Sequence, residues 1–337
     1  MSSQPVLTIA VPIFNMERCL AHNLDTYCDE RFAGRVEVLC LNNASEDSSR
    51  EIIQNFVSRY PQIFQMVDRN SRGYGSSINS AIDIAKGQYF RIVDADDWVD
   101  TNELAKLVNT LTKCHADIVL TDYQIVNMQD GKATLVKASD KGAVYDQLSN
   151  SFDWPCRTLP SIHNTTYRTE LLRSSDFHMQ DNIFFVDEEY VILPYLSAET
   201  VIYYSFDIYR YQVANPAQST SPQNRARYQE HREKILRRLI NIYDKAKAEQ
   251  SRASQDALRY CRLRVRNGIG DHFTTLLMYV ENRREGRKLA AQWETYLRKY
   301  ALEFWPEVRR KVRALKILNR LGVSLTQYEL LKKWPLK

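Results

Sequence analysis

Through the first 120 residues, short apolar runs alternate with segments whose apolar positions recur three and four apart. Residues 6–11 form a β-branched run ending at Pro12, and Leu20, Leu24 and Tyr27 give 17–27 the spacing of a helix. The alternation then repeats, with a strand at 36–41, a helix at 47–60 through Ile52, Ile53, Phe56 and Val57, and a strand at 63–67. Ile78, Ala81, Ile82 and Ala85 predict a helix over 75–86, with Gly87 in the usual position after a helix C-terminus. A strand at 89–93 follows, and then a helix capped by Asp100 or Thr101 that runs to Cys114. Elements alternating at these lengths predict a parallel sheet covered by helices on both faces.

The later pattern is different. Residues 127–150 are rich in Gly, Lys and Asp with short strand-like pieces, which suits a hairpin or a mobile loop. A helix is expected over 188–198, two short strands at 200–204 and 208–211, and a polar boundary at 215–222. Beyond Arg225 the segments up to 279, 287–300 and 306–321 all have helical period, with no strand candidate and no internal repeat.

With 337 residues, 44% of them apolar, the chain can bury a full core and is expected to form one large domain with a smaller one appended. No stretch approaches the roughly 18 consecutive apolar residues of a membrane span, and Met1-Ser2-Ser3-Gln4-Pro5 lacks a basic region followed by an apolar one. A cytoplasmic location is expected. The six cysteines, at 19, 28, 40, 114, 156 and 261, form no C-x-x-C pair and read as reduced thiols. Charge is uneven: from Arg225 onward there are 28 Lys and Arg against 12 Asp and Glu, leaving 18 against 29 before it. The basic back half points to an anionic partner, such as a membrane surface, a lipid-linked phosphate or nucleic acid, although solvated helix faces rich in Arg are the commoner explanation.

The densest chemistry is Asp94-Ala95-Asp96-Asp97, placed directly after the strand-like run at 89–93. Carboxylates at the end of a buried strand repel one another unless a cation is present, and open α/β sheets bind ligands beyond their strand C-termini. Hard oxygen ligands of this kind suit Mg²⁺ or Mn²⁺ bridging a diphosphate. An EF-hand is excluded, because Trp98, Val99 and Ala105 occupy the places that need an oxygen ligand, Gly and Glu. A phosphatase with an aspartyl nucleophile begins its fold with such a motif, whereas three strands precede it here. Asn42-Asn43-Ala44-Ser45 follows the second strand and offers amides of the kind that read a nucleobase edge, although Asn and Ser in a turn need no function. Arg72-Gly73-Tyr74-Gly75-Ser76-Ser77 leads into a helix N-terminus, where free N–H groups and a cation suit phosphate or sugar hydroxyls. No G-x-G-x-x-G follows the first strand, which disfavours a dinucleotide site.

Together these segments resemble the family 2 glycosyltransferases of GT-A fold, in the type found among bacterial enzymes that build surface glycans. The matching stretches are Thr8-Ile9-Ala10-Val11-Pro12-Ile13-Phe14-Asn15, Asn42 through Asp47, Gly73 through Asn79, Ala85 through Tyr89 and Asp94 through Trp98. Further on, Phe185-Val186-Asp187-Glu188-Glu189-Tyr190, Tyr209-Arg210-Tyr211 and Gln218-Ser219 resemble the acceptor-side half. The resemblance implies a Rossmann-like mixed sheet with helices on both faces, followed by an α-helical C-terminal region. It divides the chain into a GT-A domain at 1–220, with nucleotide-sugar binding in 1–120 and the acceptor side in 121–220, and a basic helical domain at 221–337.

The roles it implies place Pro12, Phe14, Asn15 and Glu17 beside the base, with Asn42 or Asn43 on the uracil or ribose. Many members carry carboxylates where the two Asn stand, a departure that bears on which base is read. Arg72, Gly73 and Asn79 would line the donor site; Asp94 would meet ribose or sugar, Asp96 the metal, and Asp97 the sugar or the loop. Asp187 falls where the family has its general base, with Val186 in place of the usual first acid and Glu188 as reserve, although three acids opening a helix are also ordinary dipole compensation. Trp98 is read equally as a sugar-pocket floor or as core. Trp154, His163, Arg210 and Gln218 are weaker pocket candidates, and His163 and His178 weaker metal candidates.

The implied activity is inverting transfer of a sugar from a nucleotide diphosphate, a UDP-sugar, to a hydroxyl of a glycan or of a lipid- or protein-linked glycan, with Mn²⁺ or Mg²⁺. The helical tail would complete the acceptor side, self-associate or touch the inner membrane face peripherally; nucleic acid is not an expected partner. Two rivals stay open. A nucleotidyltransferase would show a Gly-rich basic loop where Ile13-Phe14-Asn15-Met16 stands, and a non-catalytic anion-binding module would not require Asp94, Asp96 and Asp187 together.

Overall fold

Four parallel strands and the helices between them form the front of the chain; three of the strands are buried throughout, while the fourth lies at the sheet edge and is buried only at Phe64. The computed structural model describes residues 4–138, 144–149, 159–175, 177–213, 221–248 and 254–333. β1 (Leu7–Ile13) and β2 (Val36–Asn43) are buried along their whole lengths, and β3 (Phe64–Arg69) and β4 (Tyr89–Ile92) extend the parallel sheet on either side. The connections carry α1 (Leu20–Asp25), α2 (Ser49–Arg59) and α3 (Tyr74–Ile84). A two-residue strand, β5 (Trp98–Val99), then leads into α4 (Thr101–Leu111), whose cap Asp100 accepts from the backbone N–H groups of Asn102 and Glu103.

The sheet continues with β6 (Ile118–Asn127), β7 (Ala133–Val136), β8 (Thr165–Arg168), α5 (Thr169–Ser174), the single-turn helix α6 (Asp187–Tyr190) and β9 (Val201–Val213). Strand order is β3-β2-β1-β4-β8-β6-β9-β5, with β7 paired to β6. β8 lies antiparallel to β4, so the sheet is mixed, as the GT-A expectation has it, while β1 to β4 form the parallel part expected from the periodicity of the first 120 residues. β6 and β9, beyond β8, run in the same direction as β1, β2 and β4, so β8 is the one reversed strand between them.

Several element boundaries differ from the sequence pattern. The helix expected over 17–27 is only Leu20–Asp25, because the backbone from Asn15 to Glu17 is tied to residues 45–49. The helix expected over 188–198 is one turn of α6 followed by a 3₁₀ turn at Pro194–Leu196, where Pro194 has no N–H to continue the ladder. The two short strands expected after residue 200 are one long strand, β9, whose polar Ser205 and Asp207 are absorbed by register shifts opposite Asp122. Gly87 is not a left-handed helix cap: α3 ends at Ile84, and a Cβ on Gly87 would lie 2.3 Å from the backbone nitrogen of Thr8. Its N–H donates to the Thr8 hydroxyl at 2.8 Å, which locks the start of β4 against β1.

The chain divides into two compact units, residues 1–215 with 252–257, and 216–251 with 258–337. The second is helical: α7 (Pro222–Arg227), α8 (Gln229–Ala248), α9 (Gln255–Thr274) continued by a π-helical turn at Thr275–Tyr279, α10 (Arg283–Tyr300), α11 (Trp305–Arg320) and α12 (Leu325–Lys333). Its core includes Trp293, Phe273, Leu276 and Phe304. No helix among the described residues is long and apolar enough to cross a membrane. The five described cysteines are free, and Cys156 lies outside the described residues. Most of the 139–158 segment, and with it Trp154, also lies outside them, as do Gln218 and Ser219.

The close approach at Gly87 leads to a testable outcome. Gly87→Ala is expected to destabilise the fold by about 1–3 kcal/mol, the usual cost of forcing extra atoms into a packed core. Urea unfolding of the two proteins measures it, and an unchanged midpoint would show that the strand start can shift without cost.

Candidate active site

The acidic turn after β4 is held from several directions. The N–H of Asp97 closes the turn on the carbonyl of Asp94 at 3.0 Å. Asn23, buried on α1, donates its amide to the carbonyls of Asp94 (3.1 Å) and Asp97 (2.8 Å). From β9, Tyr209 donates its hydroxyl to Oδ2 of Asp97 at 2.6 Å, and that hydroxyl oxygen of Tyr209 accepts the N–H of Asp94 at 3.2 Å. Oδ1 of Asp97 accepts the backbone N–H of Gln212 at 2.8 Å. Asp97 is therefore occupied in fastening the turn to β9.

Asp94 is approached from the α3 side, where Tyr74 donates its hydroxyl to Oδ1 at 2.9 Å. All three carboxyls are raised above the ordinary range. Burial pushes Asp94 up to about 7, with the charge of Asp96 next in importance, the Tyr74 hydrogen bond opposing and the charge of Asp187 adding to the rise. Burial and the charges of Asp94 and Asp96 push Asp97 up to about 9, against the hydrogen bonds of Tyr209 and Gln212. Asp96 is raised by burial. Among the described residues no Lys or Arg pairs with this turn, and a cation placed here would relieve the repulsion.

Asp187 opens α6, about ninety residues further along, yet its charge reaches Asp94 and also raises the Tyr74 hydroxyl, where burial and Asp94 are the larger causes. Asp94 and Tyr74 thus lie within electrostatic reach of Asp187. Asp187 is exposed, Glu188 half-buried and Glu189 fully buried. Glu189 accepts the backbone N–H of Gln180 and its side-chain amide, both at 2.7 Å. Asn79 on α3 clamps the preceding residue, donating to the carbonyl of Met179 at 2.8 Å and accepting its N–H at 3.0 Å. Gly73 (φ 154°) and Gly75 allow this contact, because a Cβ on either would lie 2.0 Å from Asp181 Oδ1 or the Gln180 carbonyl oxygen. Asn182 (φ 55°) and Phe185 (φ 67°) adopt left-handed backbone on the way to Asp187.

The loops after β1 and β2 bind to each other. Asn15 (φ 53°) accepts the N–H of Glu46 at 2.8 Å, Ser48 donates its N–H to Glu17 at 3.1 Å, and Glu17 donates its own to Asp47 at 3.0 Å. These contacts use the Asn15 and Glu17 side chains to bind one loop to the other. Pro12 is buried within β1; Phe14 is half-buried, with the Arg72 guanidinium 4.5 Å from its ring centre. Arg72 also pairs with Glu46 at the surface. Asn42 donates to Asp68 at 2.8 Å, while the buried Oδ1 of Asn43 has no hydrogen-bond partner.

The weaker candidates border these residues and have contacts of their own. His163 stacks on Tyr211 with ring centres 4.1 Å apart, and burial with the nearby Arg91 lowers it to about 3. His178 is exposed and 3.2 Å from the Asn79 amide. Arg210 is tied to Asp207 and to the helix cap Asp100. Trp98 meets His22 edge-on at 4.9 Å. Sequence reasoning did not single out Tyr74, Asn23, Tyr209 or Glu189 for these contacts. Asn23 alone carried a signal, as a polar residue on the apolar stripe of Leu20, Leu24 and Tyr27.

Residues 8–178 match the family model described as glycosyl transferase family 2. The chain belongs to this family. Among its relatives, the glycosyltransferase GlyA of Streptococcus pneumoniae serotype 4 is 23% identical over 219 residues, covering 61% of this chain and 30% of that protein. The poly(ribitol-phosphate) beta-N-acetylglucosaminyltransferase TarS of Staphylococcus aureus is 23% identical over 207 residues, covering 60% of this chain and 35% of TarS. The chain therefore matches only about a third of either relative. The crystal structure of S. aureus TarS 1–349 in complex with UDP-GlcNAc superposes with a TM-score of 0.58 at 16% identity, covering 94% of this chain and 92% of that one. That likeness establishes the shared GT-A fold.

The Glu189 contact can be tested. Glu189→Ala leaves two Gln180 donors without their acceptor in a buried place, and a loss of about 2–3 kcal/mol in unfolding free energy is expected. Chemical denaturation measures it, and an undiminished stability would mean that Gln180 finds another partner.

Proposed function

We propose that the protein is an inverting glycosyltransferase that moves a sugar from a UDP-sugar to a hydroxyl of a glycan or glycoconjugate in cell-surface polysaccharide or glycoprotein biosynthesis. The observation that carries the reading is the electrostatic reach of Asp187 to Asp94 and Tyr74, in a chain of glycosyl transferase family 2 with the Asp94-Ala95-Asp96-Asp97 turn after β4. A UDP donor is supported by the UDP-GlcNAc complex of TarS, and a polymer acceptor by the activity of TarS on poly(ribitol-phosphate).

Residues 1–120 form the donor side in this reading, 121–220 the acceptor side and 221–337 a helical addition. Pro12, Phe14, Asn15 and Glu17 lie beside the base, Asn42 or Asn43 contacts the uracil or ribose, and Arg72 offers a cation to phosphate or sugar hydroxyls. Gly73 and Asn79 shape the donor side where α3 begins, Asp94 meets ribose or sugar, and Asp97 keeps the turn in place. The proposed location is cytoplasmic.

A divalent ion, Mn²⁺ or Mg²⁺, fits the raised and mutually repelling carboxyls of this turn. Among the described residues no group of three or more His, Cys, Asp or Glu side chains is arranged to hold a metal alone. Asp96 would hold such an ion. When bound, such an ion supplies positive charge against the charge that develops on the departing diphosphate.

Asp187 accepts the proton of the acceptor hydroxyl as its oxygen attacks the anomeric carbon from the face opposite the diphosphate. The bond from that carbon to the diphosphate oxygen breaks, UDP leaves with the electron pair, and the configuration inverts. Glu188 is the reserve base. Glu189 and Asn79 are positioning residues, because they hold the segment that carries Asp187 against α3.

The test is a panel of nucleotide sugars assayed for metal-dependent release of nucleoside diphosphate. Release from a UDP-sugar is the expected result, and no release from any donor would overturn the reading. Asp96→Ala is expected to abolish metal-dependent donor binding. Asp187→Asn is expected to keep donor binding and lose transfer by roughly 10²–10⁴-fold, the usual contribution of a general base. Near-normal transfer by Asp187→Asn would remove that residue from the mechanism.

A further inference from the structure

α11 presents two opposite faces. Val308, Val312, Leu315 and Asn319 are buried against the rest of the helical unit, and Asn319 secures the helix there, donating to the Leu277 carbonyl at 2.6 Å and accepting from Arg287 at 2.6 Å. Half a turn away lies an exposed stripe at helical spacing: Arg310, Arg313, Ala314, Ile317, Arg320 and Leu321. Ile317 is 55% exposed and Leu321 74%, values that place two large apolar side chains in water without cover.

The charge around them is one-sided. From Val308 to Tyr328 the sequence contains no acidic residue. Lys311 and Lys316 are satisfied by Asp271 (3.0 Å) and Glu294 (2.6 Å) on neighbouring helices. Arg310, Arg313 and Arg320 make no hydrogen bond or ion pair to any described residue. Long cationic side chains flanking exposed aliphatic ones are the pattern of a helix lying in a lipid interface, with the aliphatic groups entering the acyl boundary and the guanidinium groups meeting headgroup phosphates.

We propose that the outer face of α11 docks on an anionic phospholipid surface. Charge complementarity selects this occupant. A second copy of the same face would set like charges together, and a nucleic acid would satisfy the arginines but leave Ile317 and Leu321 against phosphate. A bilayer accommodates both. Binding of this kind is peripheral, and it stands or falls separately from the donor chemistry proposed above.

The experiment is co-sedimentation of the full chain with vesicles of phosphatidylcholine, and with vesicles of phosphatidylcholine mixed with phosphatidylglycerol, at low and raised salt. Binding is expected only to the mixed vesicles, weakening as salt rises. Reversal of the three arginines (R310E, R313E, R320E) is expected to reduce partitioning on the order of a hundredfold. Ile317→Ser with Leu321→Ser, which leaves the charge unchanged, is expected to reduce it by about tenfold or more. The serine pair carries the test should the triple variant fail to fold. Equal binding to both vesicle types, or wild-type binding by the serine pair, would overturn the proposal. Displacement from mixed vesicles by duplex DNA at matched phosphate, with the serine pair displaced equally, would overturn it in favour of nucleic acid.

Discussion

Like-charge repulsion within the turn after β4 is the constraint around which the first unit is arranged. Asp94, Asp96 and Asp97 are brought together where water is partly excluded, and each is pushed toward its protonated form. The groups that hold the turn are uncharged: the amide of Asn23, the hydroxyls of Tyr74 and Tyr209, and the N–H of Gln212. Neutral donors can orient a carboxylate without consuming its charge. Had Arg or Lys done this work, the turn would be satisfied and would attract no cation.

The same logic separates the carboxylates by task. Asp97 is enclosed by two donors from β9, whereas Asp94 keeps an oxygen beyond its one bond to Tyr74. On α6, the buried Glu189 braces the chain through Gln180 while its neighbour Asp187 remains exposed. Neighbouring acids in one short segment thus differ by burial and partner, and reactivity follows from those differences rather than from the residue type.

The fold was legible where one physical signal dominated. Buried parallel strands are continuous apolar runs, so β1, β2 and β4 and the helices between them could be read from the chain, and Asp100 could be read as a cap. The antiparallel return of β8 and the single long β9 could not. Thr165 to Arg168 is too short and polar to announce a central strand, and Ser205 and Asp207 break the apolar pattern of β9 while the backbone pairing carries on past them. Candidate site residues were legible as motifs of carboxylate, amide and glycine. Their supports were not, since Tyr74, Asn23, Tyr209 and Glu189 act through contacts that span up to 115 positions, which no local pattern encodes.

Those long spans have a meaning for a chain that leaves the ribosome from its N-terminus. β1, β2, β3 and β4 can pair as soon as residue 92 has emerged, but Tyr209 and Gln212, which hold Asp97, appear more than a hundred residues later. Until then the acidic turn is a loose anionic end on a nearly finished sheet. The nascent protein therefore passes through a stage with its scaffold built and its pocket unassembled, and the last part of the pocket to set depends on the arrival of a single distant strand.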